Sequence, residues 1–390
     1  MKETINKPRI DRQSRNNSMA KNTLLVLVAI TAGFFGGYVA SKSSVNSGSS
    51  SSTRQIIEGE SSLVNTIASD VGPSVVSVNV TGKTVSTDFF GNGREFESKS
   101  AGTGVIISKN GFIITNRHVV PDKDSVVAVV LSDGTELDAE VVGKTNPSDP
   151  LDVAFLKIKD LKGKELVPAK LGDSGKVIVG DRVVAIGNAL GQFQNTVTSG
   201  IISGYGRDIQ ASDGAGTETE TLQNLFQTDA AINSGNSGGP LVNSASEVIG
   251  INVATASAEN ISFAIPINDI KSLIDTVLET GKLERPYLGV RYLPINEDVA
   301  RELGLEQTEG AYVPEGTSAR PSILAGSPAE KAGIKEKDVI VKIDGQKLDE
   351  KNGLVSILGR KRVGSSVEII VIRDGQEKTL FATLEAAPEQ

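Results

Sequence analysis

The chain has 390 residues, enough for two or three domains that each bury a core of their own. Its formal net charge of -8 argues against nucleic acid as a partner, because phosphate binding needs a concentrated basic face. It contains no cysteine and one histidine, which excludes disulfides, thiolate nucleophiles and metal sites built from cysteine or clustered histidine. Any imidazole chemistry near neutral pH therefore depends on His118.

The N-terminal region is basic and then abruptly apolar. Residues 1–22 are rich in Lys and Arg, and residues 23–40 form an uncharged stretch that barely spans a hydrocarbon core of about 30 Å. This stretch is either a transmembrane signal anchor or a signal peptide cut near Ala40, and the bulky Tyr38 favours the anchor. Either way the rest of the chain is exported, and the Ser-rich residues 41–55 are expected to be a flexible linker.

Residues 56–281 contain short β-rich segments between Gly, Asp and Asn turns. One helical pattern follows them and ends at Gly281. Many strands closed by one helix predict a β-barrel domain over 56–281. The predicted strands lie in 74–80, 103–116, 126–131, 136–143, 153–158, 181–187, 196–203 and 247–254.

A smaller unit follows over residues 286–385. Strand patterns occur at 338–345, 366–375 and 378–384, and short helical patterns at 327–333 and 349–359. The sequence therefore predicts a small α+β module after the β-rich domain.

Residues 231–242 read AINSGNSGGPLV and concentrate Gly, Ser and Asn around Ser237. A serine nucleophile needs a base, a group that orients the base, and donors for the oxyanion. Gly235 permits a backbone that points the N–H groups of Gly235 and Ser237 into one hollow, while Gly238 and Gly239 keep side chains away. Taken alone, the stretch also fits an ordinary surface turn.

His118 follows an apolar strand pattern, at a point where the chain turns. A lone histidine is usually structural, so its role depends on a partner. Asp152 directly precedes the apolar stretch VAFLKI, where its carboxylate can accept the imidazole Nδ1–H, whereas Asp149 has the setting of a solvated turn residue. The order His118, Asp152, Ser237 in a β-rich chain is that of chymotrypsin-like double β-barrels.

These segments together resemble the HtrA/Deg family of serine proteases. TNRHVV, LDVAFLKI and QTDAAINSGNSGGPLVN are similar to the family's histidine, aspartate and serine motifs. The resemblance implies a mostly β, chymotrypsin-like double β-barrel protease domain with His118, Asp152 and Ser237 as its catalytic triad. Arg117 departs from the family pattern, which usually has a small, polar or aromatic residue before the histidine.

The same resemblance assigns further parts of the chain. It implies an oxyanion hole shaped by Gly235, Asn236 and Ser237, a regulatory sensor loop that begins at Arg207, and no metal or organic cofactor. Residues 286–385 resemble a PDZ domain.

The motif YLGV is similar to the PDZ loop that binds a peptide carboxylate while the peptide adds a strand to the sheet edge. Without the resemblance it would be an ordinary strand start. The long Gly-, Pro- and Ser-rich stretch at 313–330 departs from the family pattern beside the groove. The residues of the motif are Tyr287, Leu288, Gly289 and Val290.

For function, the resemblance implies an endopeptidase that degrades unfolded or damaged exported polypeptides. It also implies a homotrimer whose activity is regulated by C-terminal peptides bound at the PDZ domain. The expected location is the cell membrane, with a single span and both domains outside the cytoplasm, or a secreted or periplasmic protein after signal cleavage. A membrane-tethered regulatory protease with one dedicated signalling substrate, and a non-proteolytic chaperone or binding module, remain as alternatives.

Overall fold

A computed structural model describes residues 62–87, 93–120, 126–147, 149–189, 193–212, 219–233, 235–255 and 260–388. The predicted basic N-terminus, the apolar segment 23–40 and the Ser-rich linker lie outside these residues. Within the described ranges, no helix is long and apolar enough to cross a bilayer. The same ranges contain no group of three or more His, Cys, Asp or Glu side chains arranged to hold a metal ion.

The first β-barrel has six antiparallel strands and is closed because β1 pairs with both β2 and β4. A short helix, α1, covers residues 62–71 before the barrel. Val76, Val78 and Val80 alternate along β1 and are all buried, so one face of the strand fills the barrel core. The strands are β1 Val75–Thr87, β2 Gly93–Ile106, β3 Phe112–Thr115, β4 Val126–Val130, β5 Glu136–Lys144 and β6 Ala154–Ile158.

The second β-barrel is closed in the order β10-β11-β12-β9-β8-β7. Helix α2, Ile267–Thr280, follows it directly and buries Ile270, Leu273 and Val277. Gly281 ends the helix with φ at 72°, as the sequence predicts. The strands are β7 Arg182–Ala189, β8 Phe193–Ser212, β9 Thr219–Thr228, β10 Pro240–Asn243, β11 Val248–Thr255 and β12 Ser262–Pro266.

Three strands of this barrel, β9, β10 and β12, are absent from the strands predicted by residue alternation, and β12 shows no alternation because all five of its residues are buried. In β9 the alternation is broken, because Asn224 has φ at 58° and the register against β8 shifts repeatedly. β10 is only 4 residues long and begins with Pro240. The mostly β, chymotrypsin-like double β-barrel that the family resemblance implies is nevertheless confirmed.

The C-terminal domain is a small α+β unit built on a sheet with the order β14-β15-β16-β18-β19. Strand β17 pairs with β16, while β13 and β20 form a separate two-stranded sheet that joins the two ends of the domain. Its strands are β13 Pro286–Tyr287, β14 Leu293–Ile295, β15 Gly310–Tyr312, β16 Val339–Ile343, β17 Gln346–Lys347, β18 Ser366–Arg373, β19 Gln376–Thr383 and β20 Glu385–Ala386. Its helices are α3 Glu297–Leu303, α4 Pro328–Ala332 and α5 Leu354–Gly359.

The stretch 313–330, which departs from the family pattern, is an excursion from this sheet. It leaves after β15, turns through paired backbone hydrogen bonds between Thr317 and Arg320, and returns where Ile323 bridges to Val290. Glu315 is paired with Lys337 at 2.8 Å on the surface, so the excursion lies beside the turn before β16.

The β-barrels and the C-terminal domain pack against each other within one compact unit, residues 63–390. Val355 of α5 is buried in an apolar cluster with Leu222 and Leu225 of β9 and with the buried face of α2. The hydroxyl of Tyr292 donates to Gln223 Oε1 at 2.9 Å across the same junction. The junction therefore contains both apolar and polar contacts.

Candidate active site

His118 and Asp152 are in direct contact. His118 lies in the short turn Arg117–Val119 immediately after β3, and its Nδ1 is 2.5 Å from Asp152 Oδ2. The His118 backbone N–H also donates to Asp152 Oδ1 at 3.1 Å. The imidazole is 45% exposed and the carboxylate 2% exposed, so the buried acid orients a ring that reaches solvent. This leaves Nε2 as the nitrogen for proton transfer.

The charge state of Asp152 is set by opposing effects. Burial alone would raise the pKa of this carboxyl group. The hydrogen bonds and charge of His118, together with the charge of Arg117, outweigh burial and hold the pKa of Asp152 below its ordinary value. The carboxylate therefore stays ionised at neutral pH, as a residue that stabilises an imidazolium must.

The serine turn, residues 235–239, precedes β10 and packs against the first barrel. Thr103 of β2 donates its N–H to Ser237 O at 2.9 Å and its hydroxyl to Gly235 O at 2.7 Å. A Cβ added at Gly238 would lie 3.2 Å from Asn116 N, two residues before His118. The turn is thus beside the histidine segment, although Ser237 Oγ makes no hydrogen bond to His118. Catalytic hydrogen bonds are often open in the absence of substrate.

The side chain of Asn236 stabilises the shape of the serine turn. Its Oδ1 accepts from Asn233 N at 2.8 Å and its Nδ2 donates to Ala231 O at 3.0 Å. Asn236 is 3% exposed, so these bonds satisfy a buried amide. Asn236 therefore acts on the turn's backbone through its side chain.

The backbone N–H groups of the serine turn divide into two sets. Those of Asn236, Gly238 and Gly239 donate to protein carbonyls at 2.9 to 3.0 Å. Those of Gly235 and Ser237 donate to no acceptor within the described part of the chain. Two N–H groups two residues apart are the donors that an oxyanion hole requires.

Asp149, the alternative acid, has a different partner. Its carboxylate pairs with Arg285 Nε at 2.8 Å and accepts from Leu151 N at 2.9 Å. At 13% exposed, it is far less solvated than the sequence suggested. Asp149 fixes the loop before Asp152 and makes no contact with His118.

Arg207 lies inside strand β8, Phe193–Ser212, at the domain junction. Its Nη1 is 3.1 Å from Glu350 Oε1 of the C-terminal domain, and its Nε donates to Gln227 Oε1 at 3.3 Å. The residue predicted to begin a sensor loop thus links the two domains from a strand.

The YLGV segment has an ordered backbone. Leu288 O accepts from Ala329 N at 2.8 Å and Gly289 O accepts from Leu324 N at 3.0 Å. Because peptide units are planar and trans, the N–H groups of Gly289 and Val290 point away from those partners. Gly289 has φ at 81°, and an added Cβ would be 2.2 Å from Ser327 Cβ. The N–H groups of Gly289 and Val290 are therefore directed away from the segment that contains Leu324 and Ala329.

The sequence did not identify two residues that support this site. Thr103, which holds the serine turn from the other barrel, could have been noticed as a polar residue in the apolar stretch TGVIIS. Arg285, the partner of Asp149, lies in the segment between the two domains and carries no local signal of this role.

Family models match both domains of the chain. A trypsin-like peptidase domain matches residues 102–251, and a PDZ domain matches residues 286–384. The serine protease Do-like HtrA of Bacillus subtilis (strain 168) is 37% identical over 351 residues, which cover 85% of this chain and 74% of that protein. A probable periplasmic serine endoprotease DegP-like of Rhizobium meliloti (strain 1021) is 40% identical over 302 residues. That match covers 76% of this chain but 55% of the Rhizobium protein.

Solved structures with similar folds include the HtrA-type protease AlgW with a decapeptide, at a TM-score of 0.58 and 33% identity. Another is the same protease with a tripeptide, at a TM-score of 0.58 and 34% identity. Both cover 84% of this chain, and 99% and 98% of the AlgW chains. The likeness therefore extends over both domains.

Proposed function

The chain belongs to the HtrA family of serine endopeptidases, and we propose that Ser237, His118 and Asp152 are its nucleophile, general base and orienting acid. The observation that carries this proposal is the 2.5 Å contact between the chain's only histidine and a buried carboxylate. The serine turn beside it supplies the hydroxyl and two backbone donors.

In this mechanism Ser237 Oγ attacks the peptide carbonyl carbon while His118 takes the hydroxyl proton. His118 then gives that proton to the leaving amine, and a water molecule hydrolyses the acyl-enzyme by the same route. The N–H groups of Gly235 and Ser237 stabilise the tetrahedral oxyanion. Loss of one such donor typically lowers kcat by about 10²- to 10³-fold.

The proposed substrates are unfolded or damaged polypeptides outside the cytoplasm. Several relatives are named periplasmic endoproteases, which supports an extracytoplasmic location. The basic residues 1–22 followed by the apolar segment 23–40 support retention at the membrane by a single anchor. Separation of membranes from soluble fractions tests this placement, since a cleaved signal peptide would leave the chain soluble.

The proposed ligands of the PDZ domain are peptide C-termini, bound by the backbone N–H groups of Gly289 and Val290. The AlgW structures, which contain peptides, support this ligand class. Tyr292 and Val355 join the PDZ domain to the second β-barrel, so a bound peptide can alter the protease domain through the junction. The working unit is proposed to be a homotrimer, and light scattering would then give about three times the 40.8 kDa chain mass.

The deciding experiment measures the rate at which the full chain cleaves an unfolded test protein, with and without peptides that end in apolar residues. Cleavage is expected in the wild type and absent in Ser237→Ala. Asp152→Asn should lower kcat by about 10⁴-fold, because the wrong imidazole tautomer is held. Asp149→Asn is the matched control, since it removes a carboxylate three residues away that pairs with Arg285 rather than with His118.

A wild type that keeps the test protein soluble without cutting it would instead favour the chaperone. Cleavage confined to one membrane-protein substrate, with unfolded proteins left intact, would favour a dedicated regulatory protease.

A further inference from the structure

Arg117, directly before His118, is a charged side chain in a buried position. It is 4% exposed, and buried guanidinium groups are stable only when several acceptors surround them. Nη1 donates to Thr145 Oγ1 at 3.0 Å and to the carbonyl oxygens of Asn146 at 2.5 Å and Leu151 at 3.0 Å. The side chain is therefore embedded among acceptors from one loop.

That loop delivers Asp152 to the site, and its described residues, 145–147 and 149–151, are called the aspartate loop. Thr145 and Leu151 are its two ends, and Thr145 Oγ1 also donates to Leu151 O at 2.6 Å. Nη1 of Arg117 therefore fastens both ends of the loop. Asn116 adds a further tie, because its Nδ2 donates to Asp152 O at 2.9 Å. Three consecutive residues of the histidine segment thus hold the aspartate segment.

The guanidinium also faces the carboxylate itself. Arg117 Nε lies 3.9 Å from Asp152 Oδ1, whereas the His118 ring contacts the other carboxylate oxygen, Oδ2. Arginine remains charged at any pH where the enzyme would work. A fixed positive charge at this distance favours the ionised form of a buried carboxyl group.

We propose that Arg117 is a positioning residue of the triad, which fixes the aspartate loop by its hydrogen bonds and keeps Asp152 ionised by its charge. The inference rests on the proposed function, since it assigns a role within the Ser237 mechanism. It also gives a physical meaning to the residue that departs from the family pattern.

The charged groups near Asp152 allow the two parts of this role to be separated. His118 and Arg117 are the charges that face its carboxylate in the described structure. Asp149 and Arg285 form their own pair on the aspartate loop at 2.8 Å, and Lys144 donates to Val120 O at the end of β5. Arg285 therefore holds the loop without facing the Asp152 carboxylate.

The test compares Arg117→Gln, Arg117→Lys and Arg285→Gln with the wild type. The measurements are kcat, KM, the pH profile of kcat/KM on a peptide the wild type cleaves, the thermal midpoint and the fraction of titratable active sites. For Arg117→Gln we expect kcat to fall about 10- to 100-fold with little change in KM, since the acid is misplaced. The acid limb of the kcat/KM profile should move up by about one pH unit. Without the positive charge of Arg117, protonation of the triad residues beside it becomes more favourable.

Arg117→Lys keeps the charge but not the planar fork, so kcat should fall while the acid limb stays at its wild-type position. Arg285→Gln should lower the thermal midpoint and leave the acid limb unmoved. This pattern separates the charge from the hydrogen bonds.

Two results together would overturn the proposal: the acid limb of Arg117→Gln stays at its wild-type position, and the fall in kcat equals the fall in the fraction of functional active sites. Arg117 would then have a purely structural role. Failure of both Arg117 variants to fold would overturn the proposal as well. An inactive wild type is a distinct result, because it removes the proposed function before any Arg117 variant is considered.

Discussion

Gly238 shows how closely the serine turn is packed at the scale of single residues. Its φ is 82°, and an added Cβ would lie 2.2 Å from Thr103 O and 2.4 Å from Thr115 Oγ1. Both neighbours belong to the first barrel, Thr103 to β2 and Thr115 to β3, the strand that leads to His118. A glycine is required here by backbone conformation and by space together, because the turn inserts between the two barrels.

We therefore expect Gly238→Ala to displace Ser237 and to lower kcat by at least about 100-fold. Gly134→Ala is the matched control, since Gly134 has φ at 81° with nothing within 4 Å of an added Cβ. The control should cost roughly 1–2 kcal/mol of stability from backbone strain alone. Equal activity of the two variants, measured on the same peptide, would contradict the packing argument.

At the scale of elements, helix α2 and helix α5 meet around a buried carboxylate. Asp269 of α2 accepts from Ser356 Oγ of α5 at 2.5 Å and from Asn224 Nδ2 of β9 at 2.6 Å, with Arg360 Nη2 3.5 Å away. Burial is the largest influence, and it raises the pKa of Asp269 despite these partners. The Asp269 carboxylate of α2 therefore contacts both the barrel strand β9 and the PDZ helix α5.

A carboxyl group whose pKa is raised by folding binds its proton more tightly in the folded state. Its contribution to the free energy of unfolding therefore grows as the pH falls from the raised pKa towards the ordinary 3.8, and is least at neutral pH. We expect the wild type to gain stability relative to Asp269→Asn over that interval. Urea unfolding of both proteins at several pH values measures the difference.

Glu279→Gln is the control with the opposite sign, because Arg362 lowers the pKa of the exposed Glu279. There the wild type should lose stability relative to the variant on acidification. The expectation for Asp269 is wrong if the wild type also loses stability relative to Asp269→Asn as the pH falls.

At the scale of the whole molecule, the protease and PDZ domains are joined by contacts of several kinds. Lys351 Nζ donates to Val177 O at 2.7 Å, Arg207 pairs with Glu350, and Val355 is buried among residues of the second barrel. Exposed ion pairs contribute little to stability, so the buried contacts of Val355 and of Ser356 with Asp269 should contribute more to docking than the Arg207–Glu350 pair. The domains should therefore unfold together in the wild type.

Val355→Asn places an amide in this apolar contact, at a cost of about 1–3 kcal/mol. We expect it to separate the two domains into distinct calorimetric transitions and to speed tryptic cleavage at Lys282 between them. Phe381→Asn is the control, since Phe381 is 64% exposed on β19 and lies outside the buried clusters. A single transition in Val355→Asn, with unchanged tryptic cleavage, would show that polar contacts suffice for docking.

The sequence by itself determined the repeated strands, the helix that ends at Gly281 and the α+β character of the C-terminal domain. These follow from alternation and turn residues, which are properties of neighbouring positions. It also singled out His118, Asp152 and Ser237, because a single histidine and a glycine-rich serine segment leave few choices. β9 escaped detection since the bulges around Asn224 break the period of two.

Tertiary structure alone decided which distant residues meet. Strand pairing in the first barrel brings His118 to Asp152 across 34 positions, and packing of the segment between the domains brings Arg285 to Asp149 across 136 positions. Tertiary structure also buries Arg117, which departs from the family pattern in the sequence, and places its guanidinium in hydrogen-bond contact with the aspartate loop. Such contacts depend on strand pairing and domain docking, whose geometry is a property of the closed fold and leaves no periodic trace in the local sequence.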